Sequence, residues 1–123
     1  MGLTNTGRDY IAKAIMNDTP TFFNGTNTRI GVGDSDLAFD VTQTDLQGAN
    51  KTRMLVDGVP VRTNNELEYK SIFGVSDANH DWKEWGVFNA QTDGEMLNRK
   101  VENLGTKSGG TWVLTVTLAV NIG

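Results

Sequence analysis

Hydrophobic and polar positions alternate most regularly from Thr111 to Ile122. Trp112, Leu114, Val116, Leu118, Val120 and Ile122 share one face at period two, and Val113, Thr115, Thr117, Ala119 and Asn121 share the other. Successive side chains of a strand point to opposite faces, so the pattern predicts a strand with one apolar and one semi-polar side. Its threonines and valines are stiff at χ1 and suit a pleated surface. At roughly 3.3 Å per residue such a strand spans ~35 Å. It needs partners along most of that length, and a central position is expected.

Earlier segments supply the partners. Glu66 to Gly74 alternates with Leu67, Tyr69, Ser71 and Phe73 on one face and Glu68, Lys70 and Ile72 on the other. Trp82 to Ala90 reads as a strand with Trp85 and Val87 opposite Trp82, Gly86 and Phe88. Thr92-Asp93-Gly94 turns it into Glu95 to Val101, and Gly105 to Gly110 is a glycine-rich turn before the final strand. Thr28 to Gly33 is a short strand. Thr52 to Val56 and Val59 to Thr63 read as a hairpin about Asp57-Gly58, a type I′ signal, with Pro60 on an edge or at a strand start. Leu37 to Asn50 is irregular, anchored by Val41 and Leu46, and Asn24-Gly25 marks a turn.

The one segment with helical spacing covers residues 4–16. Thr4 or Asn5 can cap its first turn, Ile11, Ala14 and Ile15 share a face, and Leu3 can pack back as a staple. Gly7 weakens the first turn. Asn17-Asp18-Thr19-Pro20 ends the helix. The elements predict an α+β fold: an N-terminal helix packed on a mostly antiparallel β-sheet or β-sandwich, with residues 1–123 as a single domain.

Composition narrows the chemistry. The 123 residues can bury a core without covalent staples, and the absence of cysteine excludes disulfides and thiolate metal sites. A net charge of −4 argues against nucleic acid as a partner, since phosphate binding calls for a basic surface. No stretch is long and apolar enough to span a membrane, so no membrane partner is expected. No signal peptide is visible, and Met1-Gly2 with Thr6 fits the acylation pattern only loosely.

Candidate sites are few. Asp77-Ala78-Asn79-His80-Asp81 has the opening of a calcium loop, but Trp82 and Phe88 stand where glycine and a carboxylate belong; an Asx-rich turn explains the same residues. Asp34, Asp36 and Asp40 form an acidic group with no nucleophile or second acid at a defined spacing, so a solvated loop is expected. His80 is the single histidine. Gly31-Val32-Gly33 lacks the rest of a dinucleotide fingerprint. No catalytic residue, metal site or cofactor is expected, although a small hydrolase using Asp34, Asp36 or Asp77 is a third reading. Trp82, Trp85 and Trp112 with Tyr69, Phe73 and Phe88 could make a sugar platform, but such aromatics are more often core. Trp82, at a loop–strand junction, is expected to be partly exposed.

Leu3-Thr4-Asn5-Thr6-Gly7-Arg8-Asp9-Tyr10-Ile11-Ala12-Lys13-Ala14-Ile15, followed by Thr28-Arg29-Ile30-Gly31-Val32-Gly33-Asp34, resembles the opening of tailed-phage tail-collar fibre proteins. Glu84-Trp85-Gly86-Val87-Phe88-Asn89-Ala90, Met96-Leu97-Asn98-Arg99-Lys100-Val101 and Leu104-Gly105-Thr106-Lys107 resemble small phage virion proteins. The resemblance covers nearly the whole chain. It implies a virion structural protein, made in the host cytoplasm, that binds other virion proteins of tail or capsid and forms a homo-oligomer, a trimer first. Fibre proteins continue into a shaft and receptor-binding tip, whereas this sequence ends at Gly123, so docking or capsid decoration is expected over receptor binding. The alternative is a carbohydrate-binding module contacting the host envelope through exposed aromatics.

Overall fold

The computed structural model describes residues 2–121. Ile122, the last position of the predicted final strand, lies outside them. Among the described residues one helix, α1 (Asn5–Ile15), precedes seven strands: β1 (Arg29–Gly33), β2 (Lys51–Leu55), β3 (Val61–Thr63), β4 (Glu66–Phe73), β5 (Asp81–Phe88), β6 (Met96–Thr106) and β7 (Trp112–Ala119). They form two antiparallel sheets, one of order β2-β1-β5-β6 and one of order β3-β4-β7. The fold is the expected α+β arrangement of a helix against a sandwich.

The sheets share one apolar interior. Ile30, Val32, Trp85, Val87 and Leu97 from the larger sheet meet Tyr69, Phe73, Val116 and Leu118 from the smaller. Phe73, Trp82 and Trp112 stack edge to face at one end, with ring centroids 4.7 and 5.0 Å apart. A second, smaller apolar cluster, Leu46, Phe88 and Met96, lies on the far side of the larger sheet. There the irregular stretch between β1 and β2 lies over it.

Helix α1 starts where expected. The Thr4 side chain accepts the Gly7 N–H at 2.9 Å and its hydroxyl donates to the Met96 carbonyl. Gly7 is not a weakness there, because its backbone rests on Leu97 and an added methyl would overlap that carbonyl. The buried helix residues are Gly7 and Tyr10, and Ile15 is 78% exposed. The predicted Ile11, Ala14 and Ile15 face is therefore rotated: close approach of the first turn to β6, rather than apolar spacing, sets which side faces inward.

Four further expectations are corrected. Among the described residues the final strand is at the edge of its sheet, paired only with β4, which takes the central place. Its alternation reflects burial on one face, a property that edge and central strands share. Asp57-Gly58 does not close a hairpin: β2 belongs to the larger sheet and β3 to the smaller, and the chain crosses between them here. The Asp57 N–H donates to the Lys70 carbonyl on the way. The hairpin is instead β3–β4, turning at Asn64, whose φ of 54° is a conformation that asparagine tolerates. Trp82 is 2% exposed rather than partly open. A register shift between Trp82 and Glu84 brings it into the same interior as Trp85 and Val87. Val41 is 41% exposed, so Leu46 alone anchors its loop through a buried side chain.

Candidate functional site

The charged residues with the most demanding environment are Glu84 and Arg99, neither singled out by sequence. Both side chains are fully buried and paired at 2.7 Å. The Glu84 carboxylate also accepts backbone N–H groups of Ser35, Gln47 and Gly48, at 3.2, 2.8 and 2.8 Å. Arg99 donates to the Leu37 carbonyl and the Gln43 side chain. Methyl groups at Gly33 or Gly48 would intrude on the carboxylate, so these glycines make room for it. The pair fastens the 34–50 stretch to the sheet. A signal was present: Glu84 shares the period-two face of Gly86 and Phe88, with Arg99 opposite Gly86 across the β5–β6 hairpin.

The acidic candidates are separated by task. Asp34 accepts from the Asn50 side chain and backbone, and those hydrogen bonds hold its carboxyl below the usual range. Asp40 accepts from the Thr42 hydroxyl and N–H, with the same consequence, and Asp36 is exposed. Asp77 caps the Gly74 N–H, Asn79 accepts from the buried Lys107 ammonium at 3.0 Å, and Asp81 accepts from the Thr106 hydroxyl. Lys107 also donates to the Gly74 carbonyl at 2.6 Å. Asp77, Asn79 and Asp81 of the calcium-like run thus each serve different protein partners. His80 contacts the Thr52 hydroxyl and the Asp81 carbonyl. Among the described residues no three acidic or histidine side chains are grouped to hold a metal.

The proposed sugar platform is interior. Tyr69, Phe73, Trp82, Trp85 and Phe88 are all buried, and Trp112 is half-buried against Trp82. Burial pushes the Tyr69 phenol up to about 12, and its hydroxyl donates to the Phe23 carbonyl at 3.0 Å. Burial also raises the Tyr10 phenol, with the charge of Glu95 adding to the shift.

The surface features with most to offer a partner are the strand edges, and the four differ. The β2 edge carries Lys51 and Arg53, both paired with Asp45. The β6 edge is met by residues 2–4: Arg99 N–H donates to Gly2, Thr4 N–H donates to Leu97, and α1 lies alongside. Farther on it carries Lys100 and Glu102. The β3 edge is three residues long, behind Pro60. Short length, charge, proline and cover are the usual protections of an edge. The eight residues of β7 carry no charge and no proline, pair with β4 without a register shift, and meet no segment on their outer side among the described residues.

Register shows which backbone groups β7 leaves open. Val120 N–H donates to Asn65, the position that continues the β4–β7 ladder. Antiparallel pairs alternate, so even-numbered residues of β7 bond to β4 and odd-numbered ones point away. Lys70, an even position of β4, indeed turns its carbonyl from β7 to Asp57. Val113, Thr115, Thr117 and Ala119 therefore present their N–H and C=O groups at the free edge. Beside the end of this edge, Leu118 and Val120 help line a half-open apolar groove of about 250 Å³ with Tyr10, Ile11, Phe22 and Phe23.

No protein-family model matches the chain, and no curated protein matches it.

Proposed function

We propose that this chain is a structural, non-catalytic protein of a tailed-phage particle, working in multiple copies on the tail or baseplate or on the capsid surface. It assembles there with itself and with other virion proteins. The observation that carries the reading is the uncharged, unprotected edge of β7. An edge of that kind is an aggregation liability in a monomer and an asset in an assembly protein. The likeness of the N-terminal run and the first strand to tail-collar fibre proteins supplies the setting. The burial of Tyr69, Phe73, Trp82, Trp85 and Phe88 favours this reading over a carbohydrate-binding role.

Quantitative mass spectrometry of purified particles tests this. The chain is expected among the virion proteins, in high copy number if it decorates the capsid and in low copy number if it sits on the tail. Its absence from intact particles overturns the proposal.

A further inference from the structure

We infer that β7 pairs antiparallel with β7 of a second copy about a two-fold axis through Val116, joining two three-stranded sheets into one of six strands. This rests on the multi-copy reading above and names its contact. The free backbone groups belong to Val113, Thr115, Thr117 and Ala119. Only one two-fold register engages all of them at once: Val113 opposite Ala119 of the second copy and Thr115 opposite Thr117. It forms about eight inter-strand hydrogen bonds, because each hydrogen-bonded antiparallel pair exchanges two.

The side chains suit the same register. On the outer face threonine meets threonine and valine meets alanine. On the inner face Leu114 meets Leu118 and Val116 meets itself. No charge lies anywhere on the strand, so none is brought against its like or left unpaired, which would oppose pairing of the other edges. A β2 edge paired with itself would instead bring the positive charges of Lys51 and Arg53 against those of the second copy. The β7 contact is isologous and closes at two copies; a trimer requires a different, heterologous surface. A single strand pair buries less than a standard interface, so dimerisation in the micromolar range or weaker, on the order of a transient contact, is expected.

The test is sedimentation across a concentration series for the parent, Thr115→Pro and Thr117→Lys, with circular dichroism as the fold control. The Thr115 N–H points away from β4, so proline there removes no internal hydrogen bond and is compatible with an edge strand. Should Thr115→Pro fail to fold, Thr117→Lys, with an exposed side chain, carries the test. The parent should rise from 13.4 kDa toward twice that mass, and both variants should shift the midpoint at least tenfold or stay monomeric. Because the chain has no cysteine, oxidising a mixture of Thr115→Cys and Thr117→Cys chains should favour the mixed disulfide over either symmetric one. Association unchanged in both variants, or a threefold mass, overturns the β7 pairing while leaving the multi-copy reading intact. A parent that stays monomeric at every concentration also overturns the pairing, and only its absence from particles removes the multi-copy reading as well.

Discussion

The two sheets are built from similar strands and differ in what covers them. The four-stranded sheet is covered on both faces at its centre, over β1, β5 and the first half of β6: the shared interior lies on one side, and the 34–50 stretch, fastened by Glu84 and Arg99, on the other. The three-stranded sheet has one dry face and one bare one, where Glu66, Glu68, Lys70, Thr115 and Thr117 are exposed, and its β7 edge is open. A long loop and a buried ion pair close one sheet, and among the described residues no comparable segment covers the other. An outer surface left bare beside an unprotected edge is where a partner fits without displacing anything.

The largest expected effect separates the two faces directly. Glu84→Gln leaves the Arg99 guanidinium buried without its counter-charge and weakens the bonds to three loop N–H groups. A loss of about 3–5 kcal/mol is expected from chemical denaturation, as for other broken buried pairs. Glu68→Gln, on the bare face, should change stability by no more than about 0.5 kcal/mol. Equal effects of the two substitutions would mean that the outer faces do not differ as described.

A smaller effect probes the interior that both sheets share. Tyr69 ionises near 10 in an unfolded chain and only at about 12 in the fold, because burial disfavours the phenolate. Both states are protonated below pH 10, so the contribution is fully present there. Above it the unfolded chain releases its proton first, and stability falls as pH rises toward 12, by roughly 2–3 kcal/mol in all. Tyrosinate absorbance and denaturation midpoints followed together from pH 9 to 12 check this; a midpoint that does not fall over that range would place Tyr69 in contact with water.

The same contrast explains what was legible in the sequence. Strand β4 follows its predicted alternation residue for residue, because one of its faces is wet and selection of polar side chains leaves a period of two. Strand β5, covered on both sides, is buried from Glu84 to Phe88, and alternation has little to report. The swap of Trp82 to the interior is a matter of register, invisible without the partner strand. The edge position of β7 was likewise hidden, because pairing order is decided by long-range contacts. Of the candidate assembly surface, the uncharged strand was legible and its openness was not. The Glu84–Arg99 pair left only the faint signal of a charge on the face of Gly86 and Phe88, because its other partners are mostly backbone groups of a loop with no period of its own.

Amide hydrogen exchange resolved at single residues of β7 tests the central claim most directly. In dilute solution Leu114, Val116 and Leu118 should be protected by their bonds to β4, while Val113, Thr115, Thr117 and Ala119 exchange rapidly. On raising the concentration, protection should appear at these four odd positions with no change at the even ones. Protection at every position of the strand in dilute solution would contradict the account, because it would mean that something already covers the edge. So would odd positions that remain unprotected at the highest concentration.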